Sequence, residues 1–339
     1  MIGTDYIDLA TEAGLRYVEL GAPGYRRVRR GTGFSYVTEA GEVVNGRERA
    51  RVEDLVIPPA WEDVWISRDP RGHIQATGND AAGRKQYIYH PLWDEMRDEV
   101  KFDRLGPLGQ GLPRLRKLMD RDLRRRGLPR EKVVALAVSV LDRTLMRVGN
   151  RRYAADNDSY GLTTLTCEHI EVDGLHVHVE FAGKGGAEHQ LALPDRRLAN
   201  LVSRCQELDG QTLFSYETSG GKVGAVTSSD VNTYLSEALG GAFTAKDMRT
   251  WGASALVTGE LARNLDEPDP ETRLLGAIDA AAERLGNTRA VCRSSYIHPD
   301  VVRANRGQQL PGIWRRAKSG TWTNREESAL RLLLAGDRS

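Results

Sequence analysis

The sequence predicts an α+β protein: a small mainly-β domain at the N-terminus, then a larger mainly-α domain that carries a three-stranded β-hairpin sheet. Three observations predict it. The chain has 339 residues, too many for one small core. Residues 34–90 hold short runs rich in β-branched and aromatic side chains. Beyond residue 90 the apolar residues recur at helical spacing, except over residues 163–193, where the pattern switches to strands. The expected boundaries are 1–90, 91–305 and a tail over 306–339, to which the sequence assigns no chemistry.

A weakly amphipathic helix around Tyr6, Leu9, Ala13 and Tyr17 opens the chain. The run Arg26-Arg27-Val28-Arg29-Arg30 reads as a flexible arm able to touch phosphates without base preference. Strands follow at 34–37, 64–67, 73–78 and 84–90. In the last, a period of two puts Lys85, Tyr87 and Tyr89 on one face and Arg84, Gln86 and Ile88 on the other. A cation followed by two tyrosines suits a nucleic-acid backbone and groove, although tyrosines on a strand more often simply pack.

Helices are expected at 91–104, 113–126 and 131–147. The third is apolar on most sides and reads as a core helix, with Arg147 at its C-terminus and Gly149 as the stop signal. Residues 169–172, the turn Asp173-Gly174 and residues 175–181 make a hairpin. The turn Gly183-Lys184-Gly185-Gly186 leads into residues 188–193 and puts Lys184 at a hairpin tip. Helices then run over 195–207, 229–238, 244–259 and 270–285. Arg249 lies in the first turns of the third, and Asn287 follows the Gly286 that ends the fourth. A basic linker with Arg315, Arg316 and Lys318 precedes a last helix near 326–334.

A 28% charged, 40% hydrophobic composition is that of an ordinary globular protein. No apolar run approaches the ~20 residues of a spanning helix, so no membrane partner is expected. Asp5, Asp8 and Glu12 are unlike a secretory signal, and Cys167, Cys205 and Cys292 lack paired spacing, which together read as a cytoplasmic protein with reduced thiols. A net charge of +1 hides segregation: residues 101–152 hold fifteen Lys/Arg against five Asp/Glu, and residues 21–51 seven against three. Such local excess points to a polyanion held at a defined face. His176 and His178 share a strand face with His169 and His189 nearby, but no HExxH or cysteine pair accompanies them, which disfavours zinc. Gly220-Gly221-Lys222 lacks the rest of a phosphate-binding loop, which argues against nucleotide binding.

The chemistry is carried by five residues in order. Arg147 stands in Leu145-Met146-Arg147-Val148-Gly149-Asn150, Lys184 in Phe181-Ala182-Gly183-Lys184-Gly185-Gly186, and Arg249 in Lys246-Asp247-Met248-Arg249-Thr250-Trp251-Gly252. Asn287 stands in Leu285-Gly286-Asn287-Thr288, and Tyr296 in Arg293-Ser294-Ser295-Tyr296-Ile297-His298-Pro299. The set reads as a tyrosine nucleophile with a phosphate clamp. A phenol with a pKa of about 10 needs help to attack phosphorus. Guanidinium groups contact two equatorial oxygens at once, a lysine on a hairpin can protonate a departing 5′-oxygen, and an asparagine can donate one neutral hydrogen bond. None of these roles calls for a metal or another cofactor.

These motifs, with Pro58-Pro59-Ala60-Trp61 and Gly83-Arg84-Lys85-Gln86-Tyr87-Ile88-Tyr89, resemble those of the type IB DNA topoisomerases, most closely the poxvirus-like bacterial branch. The resemblance runs from about residue 34 to 299. It implies that Tyr296 forms a 3′-phosphotyrosyl bond, that Arg147 and Arg249 clamp the scissile phosphate, and that Lys184 is the general acid. It places Tyr87, Tyr89, Lys85, Arg84 and Gln86 in the part of the small domain that meets duplex DNA. It further implies a clamp around double-stranded DNA, rotation of the nicked strand, relaxation of both signs of supercoil without ATP or metal, and a nucleoid-associated monomer without an obligatory protein partner. One departure stands out: the family commonly has a histidine where this chain has Asn287, which keeps a donor but carries no charge. A tyrosine recombinase shares the residue set, but would show histidines around the second arginine, where this chain has Lys246-Asp247-Met248 and Thr250-Trp251. A DNA-binding scaffold without chemistry is the third reading, and under it Tyr296→Phe would change nothing.

Overall fold

The computed structural model describes residues 6–336, and the chain divides between Lys101 and Phe102 into two compact units. In the smaller, α1 (Tyr6–Glu12) precedes β1 (Gly24–Arg30), β2 (Gly33–Val37), α2 (Gly46–Asp54), β3 (Glu62–Ser67), β4 (Ile74–Asn79) and β5 (Lys85–Tyr89). The strands form one antiparallel sheet in the order β2-β1-β3-β4-β5. Tyr36, Val44, Val52, Ile57, Val64, Ile66 and Ala76 close its core.

The expected basic arm is in fact β1. Arg27 is spent on structure: its guanidinium donates to the carbonyls of Ile57 (3.1 Å), Pro58 (3.0 Å) and Trp61, and lies 4.2 Å from the Phe34 ring centre. It therefore ties down the Pro58–Trp61 turn. Helix α2 had no sequence signal, because Val52 is its one fully buried side chain among charged neighbours.

Helix α3 (Pro91–Asp103) leads into the larger unit, which contains α4 (Leu105–Leu123), α5 (Arg130–Thr144) and α6 (Arg151–Asn157). A three-stranded antiparallel sheet follows, β6 (Ile170–Asp173), β7 (His176–Ala182) and β8 (Glu188–Pro194), in sequence order. Next come α7 (Arg196–Gln206), the two-stranded pair β9 (Ser215–Glu217) and β10 (Val223–Ala225), α8 (Ser228–Leu239), α9 (Ala245–Arg263) and α10 (Pro270–Leu285). The chain closes with α11 (Arg289–Tyr296), α12 (Pro299–Arg306), α13 (Leu310–Arg316) and α14 (Arg325–Gly336).

Helix α4 starts eight residues before the expected Pro113 and keeps that proline inside. Two of its three glycines, Gly109 and Gly111, are points of close packing. A Cβ on Gly109 would lie 2.1 Å from the Trp251 ring, and one on Gly111 2.8 Å from Leu239. The central helix is α9, buried along most of its length and packed by α4, α5, α10, α11 and α14.

Residues 306–336 are not a tail. Leu310, Ile313, Ala317, Ala329, Leu330 and Leu333 belong to the same core as α9. Helix α14 is pinned by a buried charge network: Arg116 of α4 pairs with Asp142 of α5 at 2.8 Å and Glu327 of α14 at 2.6 Å, and Trp251 also donates to Glu327. Burial opposes the Arg116 charge, but its hydrogen bonds to Glu327 and Asp142 prevail and hold its pKa above the ordinary arginine value. Glu327→Ala is expected to cost about 3–5 kcal/mol, because it breaks a buried pair and leaves the guanidinium undercompensated. A chemical-denaturation midpoint for the larger unit that matched the parent would contradict this.

Among the described residues no helix is long and apolar enough to cross a membrane, and the three cysteines are free.

Candidate active site

The expected stop at Gly149 is not where α5 ends. It ends at Thr144, and Leu145 turns into the left-handed region (φ 58°). Arg147 consequently lies beyond the helix, in a segment docked by Leu162 N–H to the Arg147 carbonyl (2.9 Å) and Thr163 N–H to that of Val148 (2.8 Å). The turn frees the Leu145 carbonyl, which accepts from Arg249 Nη1; Arg249 Nη2 donates to the carbonyl of Leu285, the last residue of α10, at 3.1 Å. One buried guanidinium, 3% exposed, thus satisfies carbonyls at the ends of two helices.

Arg147 reaches the loop after α10 from the other side. It donates to the Gly286 carbonyl (3.3 Å) and to Asn287 Oδ1. Gly286 holds the left-handed C-cap position (φ 60°, ψ 51°), and the Asn287 N–H returns to Ala282. Capping of α11 falls to Thr288, whose hydroxyl accepts from Val291 N–H, so Asn287 is left for another task. Its Nδ2 is buried with no partner. An open amide donor beside two guanidinium groups fits a non-bridging phosphate oxygen.

Tyr296 is the last residue of α11. Ser254 of α9 donates to its carbonyl (2.9 Å) and accepts from His298 N–H (3.0 Å), fixing the chain on both sides of the ring. The Arg249 guanidinium lies 5.4 Å from the Tyr296 ring centre. Burial lowers the Arg249 pKa, Tyr296 opposes that shift and the neighbouring Arg147 adds to it. Among the described residues neither Arg147 nor Arg249 pairs with a carboxylate. Their positive charge is held by carbonyl and amide oxygens and is left for an anion.

Four of the five expected residues therefore meet. Lys184 sits as expected at the exposed β7–β8 tip, whose turn uses Gly185 and Gly186 at positive φ (78° and 75°). Sequence reasoning weighed His189 only as a metal ligand. It stacks on Phe181 at 4.8 Å and 9°, on the buried face of the sheet, whereas His176 and His178 are exposed on the other. Among the described residues no group of side chains could hold a metal. Burial first, then Arg147 and Arg249, push the His189 pKa below its ordinary value, which favours the uncharged ring.

In the smaller unit Tyr87 and Tyr89 stack at 5.8 Å, with Lys85 and Tyr87 exposed and Arg97 placed 5.0 Å from the Tyr89 ring centre. Arg84 and Gln86 both bond to Asp80, at 2.9 Å each, and stiffen the turn before β5.

Two family models match: "Eukaryotic DNA topoisomerase I, catalytic core" over residues 85–309, and "Bacterial DNA topoisomerase IB, N-terminal domain" over residues 33–80. Among relatives, the DNA topoisomerase 1B of Acanthamoeba polyphaga mimivirus is 32% identical over 285 residues, 81% of this chain and 85% of its own. The DNA topoisomerase 1B of Vaccinia virus (strain Copenhagen) is 22% identical over 258 residues, 74% of this chain and 76% of its own. The DNA topoisomerase 1 of Mycosarcoma maydis is 25% identical over 200 residues, 53% of this chain and 19% of its own.

Proposed function

Because the chain belongs to the type IB DNA topoisomerases, enzymes that act on DNA, we propose that Tyr296 is its nucleophile and that Arg147, Arg249, Lys184 and Asn287 complete the site. The Tyr296 oxygen forms a bond to the scissile phosphorus and its proton passes to water. The bond from phosphorus to the 5′-oxygen breaks, and the Lys184 ammonium gives that oxygen its proton. Arg147 and Arg249 hold the non-bridging oxygens as charge builds on them, and the Asn287 amide donates one further hydrogen bond. Religation runs the same steps backwards, with the 5′-hydroxyl as nucleophile. The phosphotyrosyl bond keeps the phosphodiester's energy, so neither ATP nor a metal enters.

Lys85, Tyr87 and Tyr89 of β5 contact the duplex backbone, with Arg84 and Gln86 behind them, and the two units embrace the DNA as a clamp. The protein works as a monomer at the nucleoid, in the cytoplasm, without an obligatory protein partner. One observation supports this reading above the rest: Arg147 and Arg249, which among the described residues pair with no carboxylate, converge on the C-terminal end of α10, and Arg249 lies beside a tyrosine whose backbone is fixed on both sides. The test is relaxation of positively and of negatively supercoiled plasmid in EDTA without ATP. Relaxation of both is expected. A plasmid left supercoiled under these conditions would contradict the proposal.

A further inference from the structure

We propose that His189 is a positioning residue, a ring wedged between the hairpin that carries Lys184 and the loop after α10 that carries Asn287 and is held by Arg147. The inference rests on the general-acid reading of Lys184. The tip that holds Lys184 is exposed, and among the described residues its turn is closed by its own bonds, Gly183 N–H to Ala187 (2.7 Å) and Gly186 N–H to Gly183 (3.0 Å). Nothing in that turn sets the distance from Lys184 to the clamp.

His189 supplies the link. It pairs with Phe181 across β7 and β8, and the two rings stack. Its edge fills the space where Gly183 and Gly286 would otherwise carry side chains. A Cβ on Gly183 would lie 2.7 Å from the imidazole, and one on Gly286 2.2 Å from it. Gly183 precedes Lys184. Gly286 gives its carbonyl to Arg147 and precedes Asn287. One ring therefore touches the residue before the acid and the residue before the clamp's amide. A neutral ring suits the place, since a third cation would be repelled by Arg147 and Arg249.

Loosening this contact should harm proton delivery and spare phosphate capture. The two are separated by the leaving group. A 5′-thiol has a pKa of about 8.5, so it departs as thiolate and needs no acid, whereas a 5′-hydroxyl needs one. Cleavage rates are measured on duplexes with oxygen or sulfur bridging to the 5′ carbon, for the parent enzyme, Lys184→Ala, His189→Ala and His189→Phe.

Lys184→Ala is expected to lose at least ~100-fold on the oxygen substrate and to recover within a few-fold on sulfur. His189→Ala is expected to lose about 10- to 100-fold on oxygen and to recover likewise, as misplacement of the acid predicts. His189→Phe keeps a flat ring and should stay within about 3-fold of the parent on both. Recovery on sulfur also certifies that each variant is folded. If Lys184→Ala does not recover, the general-acid reading falls and the inference falls with it. If Lys184→Ala recovers while His189→Ala is unimpaired, or equally slow on both substrates, the inference alone is overturned. A His189→Phe enzyme as slow as His189→Ala would also overturn it, since the imidazole itself would then be needed.

Discussion

Tyr296→Phe is expected to bring DNA cleavage down to background, a loss on the order of 10⁶-fold, while the protein still folds and binds duplex. The change removes one oxygen and little else. Ser254 holds the backbone through the carbonyl of residue 296 and the N–H of His298, and both bonds survive the substitution. The phenyl ring can still lie beside Arg249, and the bond lost is that between the Tyr296 hydroxyl and the Arg249 guanidinium, which keeps its two carbonyl partners. Single-turnover cleavage of a labelled duplex, run beside a binding titration, separates the two effects. Cleavage within tenfold of the parent would remove Tyr296 from the chemistry.

Arg249→Lys is expected to slow cleavage by about 10²- to 10³-fold and to destabilise the larger unit. The guanidinium joins two carbonyls, of Leu145 and Leu285, while its planar fork leaves N–H groups for a phosphate. An ammonium is a point charge with three donors and cannot span both carbonyls and two phosphate oxygens. Each buried carbonyl left without a donor costs about 1–3 kcal/mol. Rates measured well below the variant's melting transition isolate the catalytic part. A parental cleavage rate there would show that bidentate contact at this position is dispensable.

What was legible in the sequence had local causes. The Asp173-Gly174 turn, the glycines around Lys184, and Pro270 with Gly286 at the two ends of α10 announce themselves within a few residues. So does the alternation that sets Lys85, Tyr87 and Tyr89 apart on β5. What was missed had causes far along the chain. Leu145 takes a left-handed conformation without being glycine, because its side chain fills the space above Gly252, where a Cβ would lie 2.4 Å from it. That packing moves Arg147 off the helix. Arg27 reads as surface charge until the carbonyls of the Pro58–Trp61 turn are seen around it. His189 enters the sequence reading only within a disfavoured zinc site, and its packing role shows once Gly286 is found at its edge.

The measurement that bears most directly on the central claim is the identity of the covalent bond itself. A cleavage reaction on a labelled duplex is stopped with denaturant, the protein is digested with trypsin, and the peptide that carries DNA is sequenced. The account predicts the peptide of residues 294–303, released by cleavage after Arg293 and Arg303, with the 3′ phosphate of the broken strand on Tyr296. DNA on any other residue, or attachment through the strand's 5′ end, would contradict it.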